Sequence, residues 1–429
     1  MVREQRRLRS AAAAGEIGDN PALGGHVAAG PEHLAAGGAG WCARRPGNLL
    51  RPHVILSPSP VPIRIQHDYA ELPASAADLF ADPDGGDLFH SRQWLKQAQA
   101  SGLRHGDRLE LLTLEGAEGP RALLPALYSR LYGPHPGARV LHFLQPDEQP
   151  YEPIIGALGI EAAALAAELA AFFGGAPKAF DVVRASPLDQ QSRFTAALVE
   201  ALRKTGHLLQ VYRQPDDHFE DVSGLGFDGY MAARPRPLRE SLERYTRLLL
   251  QGGRARFYLA MSVGQFADAW GAVRRVIAAT PQQGQPEPLQ HLQGIMRVAA
   301  ELGGLRLGLL FLDDQPVNVQ FWVVTRGVAR CLRFWSGTEQ RAFPLDDMLT
   351  QFMALYLIDA DHVSELDFGS VRADFAADWA PAVRQRIGVV AFNRRTWRGL
   401  RGAARHIGVG LIKSLPKRLW RVLGGGTRA

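Results

Sequence analysis

From Leu305 to Trp335 the chain alternates strand pattern and turn with little slack. Leu305, Leu307, Leu309 and Phe311 recur at period two, the pattern of a half-buried strand. Asp313-Asp314-Gln315-Pro316 supplies a turn, Val317–Val324 a second strand, Thr325-Arg326-Gly327 another turn and Val328–Trp335 a third strand. Connections this short predict a three-stranded antiparallel meander. Leu345, Met348, Leu349, Phe352, Leu355 and Tyr356 then recur at helical spacing, marking an amphipathic helix to about Ile358, and Val363–Phe368 reads as a strand. A strand reached through a helix runs parallel to the one before it, so Val328–Trp335 and Val363–Phe368 are expected to pair in parallel.

The same order is legible earlier. Ser91–Ser101 reads as a helix, Arg108–Thr113, Ala122–Tyr128 and Arg139–Leu144 as strands, Glu161–Phe173 as a helix, Phe180–Arg184 as a strand, Gln191–Lys204 as a helix and His207–Tyr212 as a strand. The later half opens with a helix over Leu238–Leu250, a strand over Ala255–Met261 and helices over Gln265–Ala279 and Leu289–Leu302. It is expected to close with a helix over Ala373–Arg386 and a strand over Gly388–Phe392. These patterns divide the chain into a leader (1–60), two similar halves (61–215 and 216–395) and a tail (396–429). The leader is rich in Ala, Gly and Pro, too poor in large apolar residues to offset its ordering entropy, and is expected to be disordered, with a start codon further downstream.

Charge separates the ends from the body. Ten basic and no acidic residues lie between Arg394 and Ala429, residues 1–52 carry seven basic against four acidic, and the formal +6 therefore leaves about −7 for residues 53–393. An acidic body argues against nucleic acid as a partner. The tail interleaves its cations with Trp397, Leu400, Ile407 and Trp420, which suits peripheral contact with an anionic inner-membrane surface. No stretch approaches eighteen uninterrupted apolar residues, and the two cysteines, Cys42 and Cys331, lie far apart and near no His/Cys cluster. The expectation is a cytoplasmic protein in a reducing compartment, with no metal site.

Two familiar strings carry nothing. Gly224-Leu225-Gly226-Phe227-Asp228-Gly229 matches a dinucleotide fingerprint in spacing but lacks the apolar strand before it, and Pro235 and Pro237 follow. Asp367-Phe368-Gly369 spells the kinase magnesium triplet without the catalytic loop or phosphate loop that such a site needs. The nucleophile elbows and metal-binding strings of covalent or metal-assisted hydrolases do not occur. What the element order offers is a place where two parallel strands part beside a helix N-terminus, a geometry able to hold the pantetheine and pyrophosphate of an acyl-CoA.

Phe227-Asp228-Gly229-Tyr230 with Arg234-Pro235 and Leu238-Arg239, Pro286-Glu287-Pro288, Gly304-Leu305-Arg306-Leu307-Gly308, Pro316-Val317 with Gln320 and Trp322, Leu366-Asp367-Phe368-Gly369, and Trp379 with Arg384, Arg386 and Ala391-Phe392-Asn393 occur in one order over about 170 residues. In these the chain resembles the GNAT-superfamily acetyltransferases linked to bacterial cellulose and exopolysaccharide synthesis, which are FemAB-like proteins of two halves. The resemblance implies an α/β fold of two GNAT-like (acyl-CoA N-acyltransferase) domains, with mixed, mostly antiparallel sheets flanked by helices. It also implies transfer of an acyl group from acetyl-CoA or another acyl-CoA, by direct attack, to a small-molecule or saccharide acceptor of the cell envelope. There are departures. Phe343-Pro344-Leu345-Asp346-Asp347 stands where the family has Ser-Pro-Gly-Thr, Val371-Arg372-Ala373 and Phe375-Ala376 stand where it has Gly-Asp-Asp and Tyr-Lys, and Thr280 to Gln285 lacks the family's lysine.

Within that frame the expected donor-binding residues are Arg333, Arg341, Phe343, Pro344, Leu345 and Asp346. The expected acid–base residues are Glu365 and Asp367, which share one face of a strand. Gln320, Trp335 and Trp379 are expected on the acceptor side. Two alternatives stand beside this reading: a degenerate GNAT-like adaptor at the inner membrane, and an aminoacyl-tRNA-dependent transferase, which would need a basic groove.

Overall fold

The computed structural model describes residues 62–80, 87–102, 106–117, 119–130, 137–144, 153–156, 159–175, 180–281, 287–337, 343–370 and 372–414. The expected leader, Arg341 and the tail beyond 414 lie outside the described residues. In chain order the strands are β1 (Ile63–Gln66), β2 (Arg108–Gly116), β3 (Gly119–Ser129), β4 (Val140–Phe143), β5 (Val182–Asp189), β6 (Leu208–Arg213), β7 (Asp217–Asp221), β8 (Ala255–Ala260), β9 (Leu305–Leu312), β10 (Gln315–Thr325), β11 (Val328–Ser336), β12 (Glu365–Gly369), β13 (Ala382–Arg384) and β14 (Arg386–Phe392). The helices are α1 (Arg92–Gly102), α2 (Ala162–Gly175), α3 (Arg193–Lys204), α4 (Phe227–Ala232), α5 (Arg236–Leu250), α6 (Val263–Ala279), α7 (Leu289–Glu301), α8 (Leu345–Asp359), α9 (Ala373–Trp379) and α10 (Trp397–Ser414).

Two seven-stranded sheets result, ordered β1-β2-β3-β4-β5-β14-β6 and β13-β7-β12-β11-β10-β9-β8. Each is antiparallel except for one pair, β4 with β5 in the first and β11 with β12 in the second. The expected mixed, mostly antiparallel sheets with flanking helices are thus present. One strand crosses between them. β14, expected to close the second half, inserts between β5 and β6 of the first sheet, while β7 inserts between β12 and β13 of the second. β7 escapes a hydropathy reading because Asp217-His218-Phe219-Glu220-Asp221 is polar. Its backbone is held instead by antiparallel partners on both sides.

The expected helix over Ala373–Arg386 ends at Trp379. Pro381 lacks the N–H that a helix would need and drives the residue before it into extended backbone; Ala380 accordingly has φ −144° and ψ 86°. The segment beyond becomes β13 and then β14, turning from one sheet into the other between Arg384 and Arg386.

Burial differs from the simple periodic expectation in two places. β9 is buried along nearly its whole length, because α6 and α7 cover one face of the second sheet and α8 the other. α8 is likewise buried on almost every side, from Leu345 and Met348 to Leu357 and Ile358, as befits a helix packed between a sheet and the α4–α5 layer. The halves share a core: Leu88, Phe89 and Trp94 pack with Phe266, Ile295 and Leu332. Trp94 meets Phe89 edge-on at 5.1 Å, and burying such a ring contributes about 2–3 kcal/mol.

Candidate functional site

β11 and β12 pair only from Val328–Glu365 to Arg330–Asp367. β11 then continues to Ser336 against β10 alone, so its Cys331–Ser336 edge parts from β12 and opens a gap in the strand pairing. The first turn of α8 lies beside that edge: Asp346 Oδ1 accepts a hydrogen bond from Ser336 Oγ at 2.8 Å. Asn318 Nδ2 also donates to Asp346 Oδ1, and Arg372 pairs with its other oxygen. Asp347 turns the opposite way and accepts from Trp379 Nε1 at 3.0 Å; burial pushes its carboxyl above the usual range. Both carboxylates expected at this helix entry are therefore engaged by the protein itself. Phe343, just before them, packs edge-on against Tyr245 at 5.9 Å, Pro344 occupies the N-cap without a side-chain cap, and Leu345 is core.

Four other expected residues have their polar groups engaged by the protein itself. Gln320 is fully buried, donating to Thr350 Oγ1 at 2.7 Å and accepting from Trp322 Nε1 at 2.9 Å. Trp379 is also fully buried, and its carbonyl oxygen accepts from the Tyr230 hydroxyl at 2.7 Å and from Arg234. Asp367, 1% exposed, sits where the parallel strands part. It accepts from Gly369 N at 2.8 Å and pairs with Arg330 and Arg384 at 3.4 Å each. Glu365 shares its face, as expected, and both its oxygens accept from Arg384 Nη2, at 3.1 and 3.0 Å. Two carboxylates committed to two guanidiniums form an ion-pair network at the vertex of the gap.

Past the vertex the free part of β11 carries a different group. Arg333 and Trp335 project on the α6–α7 face, opposite Phe321 and Val319 in the register with β10. Arg333 grips Glu287 with both arms, Nε to Oε2 at 2.9 Å and Nη2 to Oε1 at 3.0 Å. One turn along α7, His291 Nε2 lies 3.2 Å from the same Glu287 Oε1. Burial alone would raise the Glu287 carboxyl, but His291 and Arg333 outweigh it and hold it at about 2. The Glu287 carboxylate meets the ring through Nε2 and fixes its orientation. Glu287 and His291 went unread in the sequence as chemistry; the available signal was their i,i+4 spacing at a helix start after Pro288. Cys331, on the same strand, is no nucleophile, because burial pushes its thiol far above the ordinary range.

Comparison with known proteins places this geometry in a family of folds. Residues 236–377 match the family model described as Acetyltransferase (GNAT) domain. Among solved structures, FemX aligns over 76% of this chain and 96% of its own at 10% identity and a TM-score of 0.50. The C-terminal domain of a protein described as a lysylphosphatidylglycerol synthetase from Agrobacterium fabrum aligns over 73% and 90% at 12% identity and a TM-score of 0.47. A tandem GNAT protein from the clavulanic acid biosynthesis pathway aligns over 70% and 94% at 13% identity and a TM-score of 0.37. No curated protein matches. The chain carries a GNAT-type acyltransferase fold, and the segment that matches the domain model contains the β11–β12 gap and the Glu287–His291–Arg333 group.

Proposed function

We propose that this protein is an acyl-CoA-dependent N- or O-acyltransferase acting on a cell-envelope or polysaccharide-related acceptor. The observation that carries the reading is the unpaired Cys331–Ser336 edge of β11 beside the first turn of α8, inside the segment that matches the GNAT domain. A pantetheine arm laid along that edge pairs its amides with strand backbone, as an added strand would. On this reading His291 takes the acceptor's proton, while Glu287, anchored by Arg333, holds the ring. The acceptor nitrogen or oxygen bonds to the thioester carbonyl carbon, the C–S bond breaks, and the thiolate leaves to take up the proton. Arg333 thus serves the acceptor side of the gap as a positioning residue. Glu365 and Asp367 set the vertex.

One observation favours a second reading. Asp346 stands in the helix turn whose amides would meet a pyrophosphate, and a carboxylate there competes with phosphate for the same positive end of the dipole. A GNAT-like adaptor that uses the gap for a partner would need no such amides. Titration calorimetry with acetyl-CoA, longer acyl-CoAs and free CoA separates the two. Acyl-CoA binding that free CoA reproduces only weakly supports transfer; no binding at about millimolar ligand leaves the adaptor. Aminoacyl-tRNA as donor is opposed by the acidic body, and binding of charged tRNA in the same titration would reinstate it.

A further inference from the structure

α10 is fixed to the first sheet by one face and presents the other to solvent. Thr396 Oγ1 caps it by accepting from Gly399 N at 3.0 Å, Ala403 packs with Val140, Val182, Val390 and Phe392, and His406 lies 5.8 Å from the Phe392 ring. The approach is close, since a Cβ on Gly399 would fall 2.1 Å from the Asn393 carbonyl oxygen. At 3.6 residues per turn Gly399, Gly402, Ala403 and His406 share the docked side. Trp397, Leu400 and Ala404 then line the outward face, with Arg398, Arg401 and Arg405 along its flank. Trp397 is 64% exposed and Leu400 48%, and all three arginines are exposed. Among the described residues no carboxylate pairs with those three arginines.

We infer that this outward face of α10 is a docking surface for an anionic lipid bilayer, and that it holds the catalytic body against the membrane without crossing it. Three features point to that occupant. An indole ring and an aliphatic side chain, both largely in water, sit between turns of cations, the arrangement that seats an amphipathic helix at the headgroup level. The charge is one-signed, with no acidic residue between Arg394 and Ala429 to repel the phosphates. The face is also positioned by the docked side, where Ala403 and His406 pack on the first sheet. Among the described residues no helix is long and apolar enough to span a bilayer. The inference is independent of the proposed acyl transfer.

The test is sedimentation of the full chain with vesicles of phosphatidylcholine alone and of phosphatidylcholine mixed with phosphatidylglycerol. Binding is expected for the mixed vesicles only and should weaken as salt rises. Each cation near such a surface strengthens binding about fivefold, so the triple substitution Arg398→Gln, Arg401→Gln, Arg405→Gln should weaken it on the order of a hundredfold. The corresponding triple Arg→Lys protein should bind as the parent does, and Trp397→Ala should lose several-fold. All these positions are exposed, and circular dichroism will verify that the variants stay folded. The inference is overturned by equal binding to both vesicle types, by no binding, by a triple Gln protein that binds unchanged, or by binding of bulk tRNA with none of vesicles.

Discussion

In the first sheet the parallel strands β4 and β5 part after His142 and Arg184; in the second, β11 and β12 part after Arg330 and Asp367. The helix that follows the first break, α2, has no acidic residue in its first turn, whereas α8 has Asp346 and Asp347. Burial and the neighbouring Arg184 push His142 down to about 4, a value that keeps its ring neutral, and Arg184 donates to the Tyr212 hydroxyl at 3.0 Å. Past the second break stands the hydrogen-bonded group of Glu287, His291 and Arg333. The same backbone opening therefore occurs twice, and polar side chains mark only the second for acid–base work. Fold alone does not say which opening is used.

The largest expected effect tests whether the sheets are separable at all. Arg386 of β14, the strand that crosses to the first sheet, and Asp217 of β7 in the second are 2% and 4% exposed and pair with each other. Burial raises the Asp217 carboxyl and lowers the Arg386 guanidinium, so each ion depends on its partner. Asp217→Asn or Arg386→Gln strands a buried charge and should cost about 3–5 kcal/mol in urea unfolding, with both sheets melting together. A loss below about 1 kcal/mol, or two separate transitions, would show the crossing of β14 to be incidental.

Acid should then distinguish the halves. Glu287 is ordinarily near 4.5 and is held at about 2 in the folded chain, so the unfolded chain takes up its proton first. Its contribution, about 3 kcal/mol, is complete above about pH 4.5 and is lost as pH falls toward 2. Glu287→Gln should flatten the stability profile in that window. His142 acts higher on the scale. Its ordinary value of 6.5 falls to about 4 on folding, so protonation of the unfolded chain erodes stability from pH 6.5 downward. The ring is half-buried, which sets the expected loss on the order of 2 kcal/mol, removed by His142→Gln. A Glu287→Gln profile that flattens only above pH 5 would reverse this assignment of the halves.

Much of the fold was legible because it obeys local rules. The Leu305–Trp335 meander announced itself by period two and its turns, and the helix of Met348 and Phe352 by its spacing. β14 was not legible in its place, because crossing to the other sheet is a long-range choice, and β7 was not legible because Asp217-His218-Phe219-Glu220-Asp221 has no hydrophobic period to read. The site was legible by halves. The parting of β11 from β12 followed from topology, and Arg333 from its position on β11. Its partners did not follow, since the carboxylate that meets Arg333 comes from Glu287, 46 residues away in sequence. Nor does the sequence reveal that the polar atoms of Gln320 and Trp379 are engaged by Thr350, Trp322 and Asp347.

The smallest expected effect concerns the feature that most separates α8 from α2. Asp346 lies in the first turn of α8 and holds Arg372 through its outer oxygen. Its charge favours the helix dipole by about 0.3–1 kcal/mol, and it joins Asn318 and Ser336 to that turn. Asp346→Ser should therefore lower stability by about 1 kcal/mol. It also removes an anion from the place where a phosphate would sit and frees Arg372 to meet that phosphate. On the proposed reading, acyl-CoA should bind roughly tenfold tighter to the variant, a gain of about 1.4 kcal/mol. Calorimetry on parent and variant reads both constants. Tighter binding places the donor phosphates at α8, whereas an unchanged constant beside the expected loss of stability places the donor elsewhere and makes Asp346 a purely structural cap.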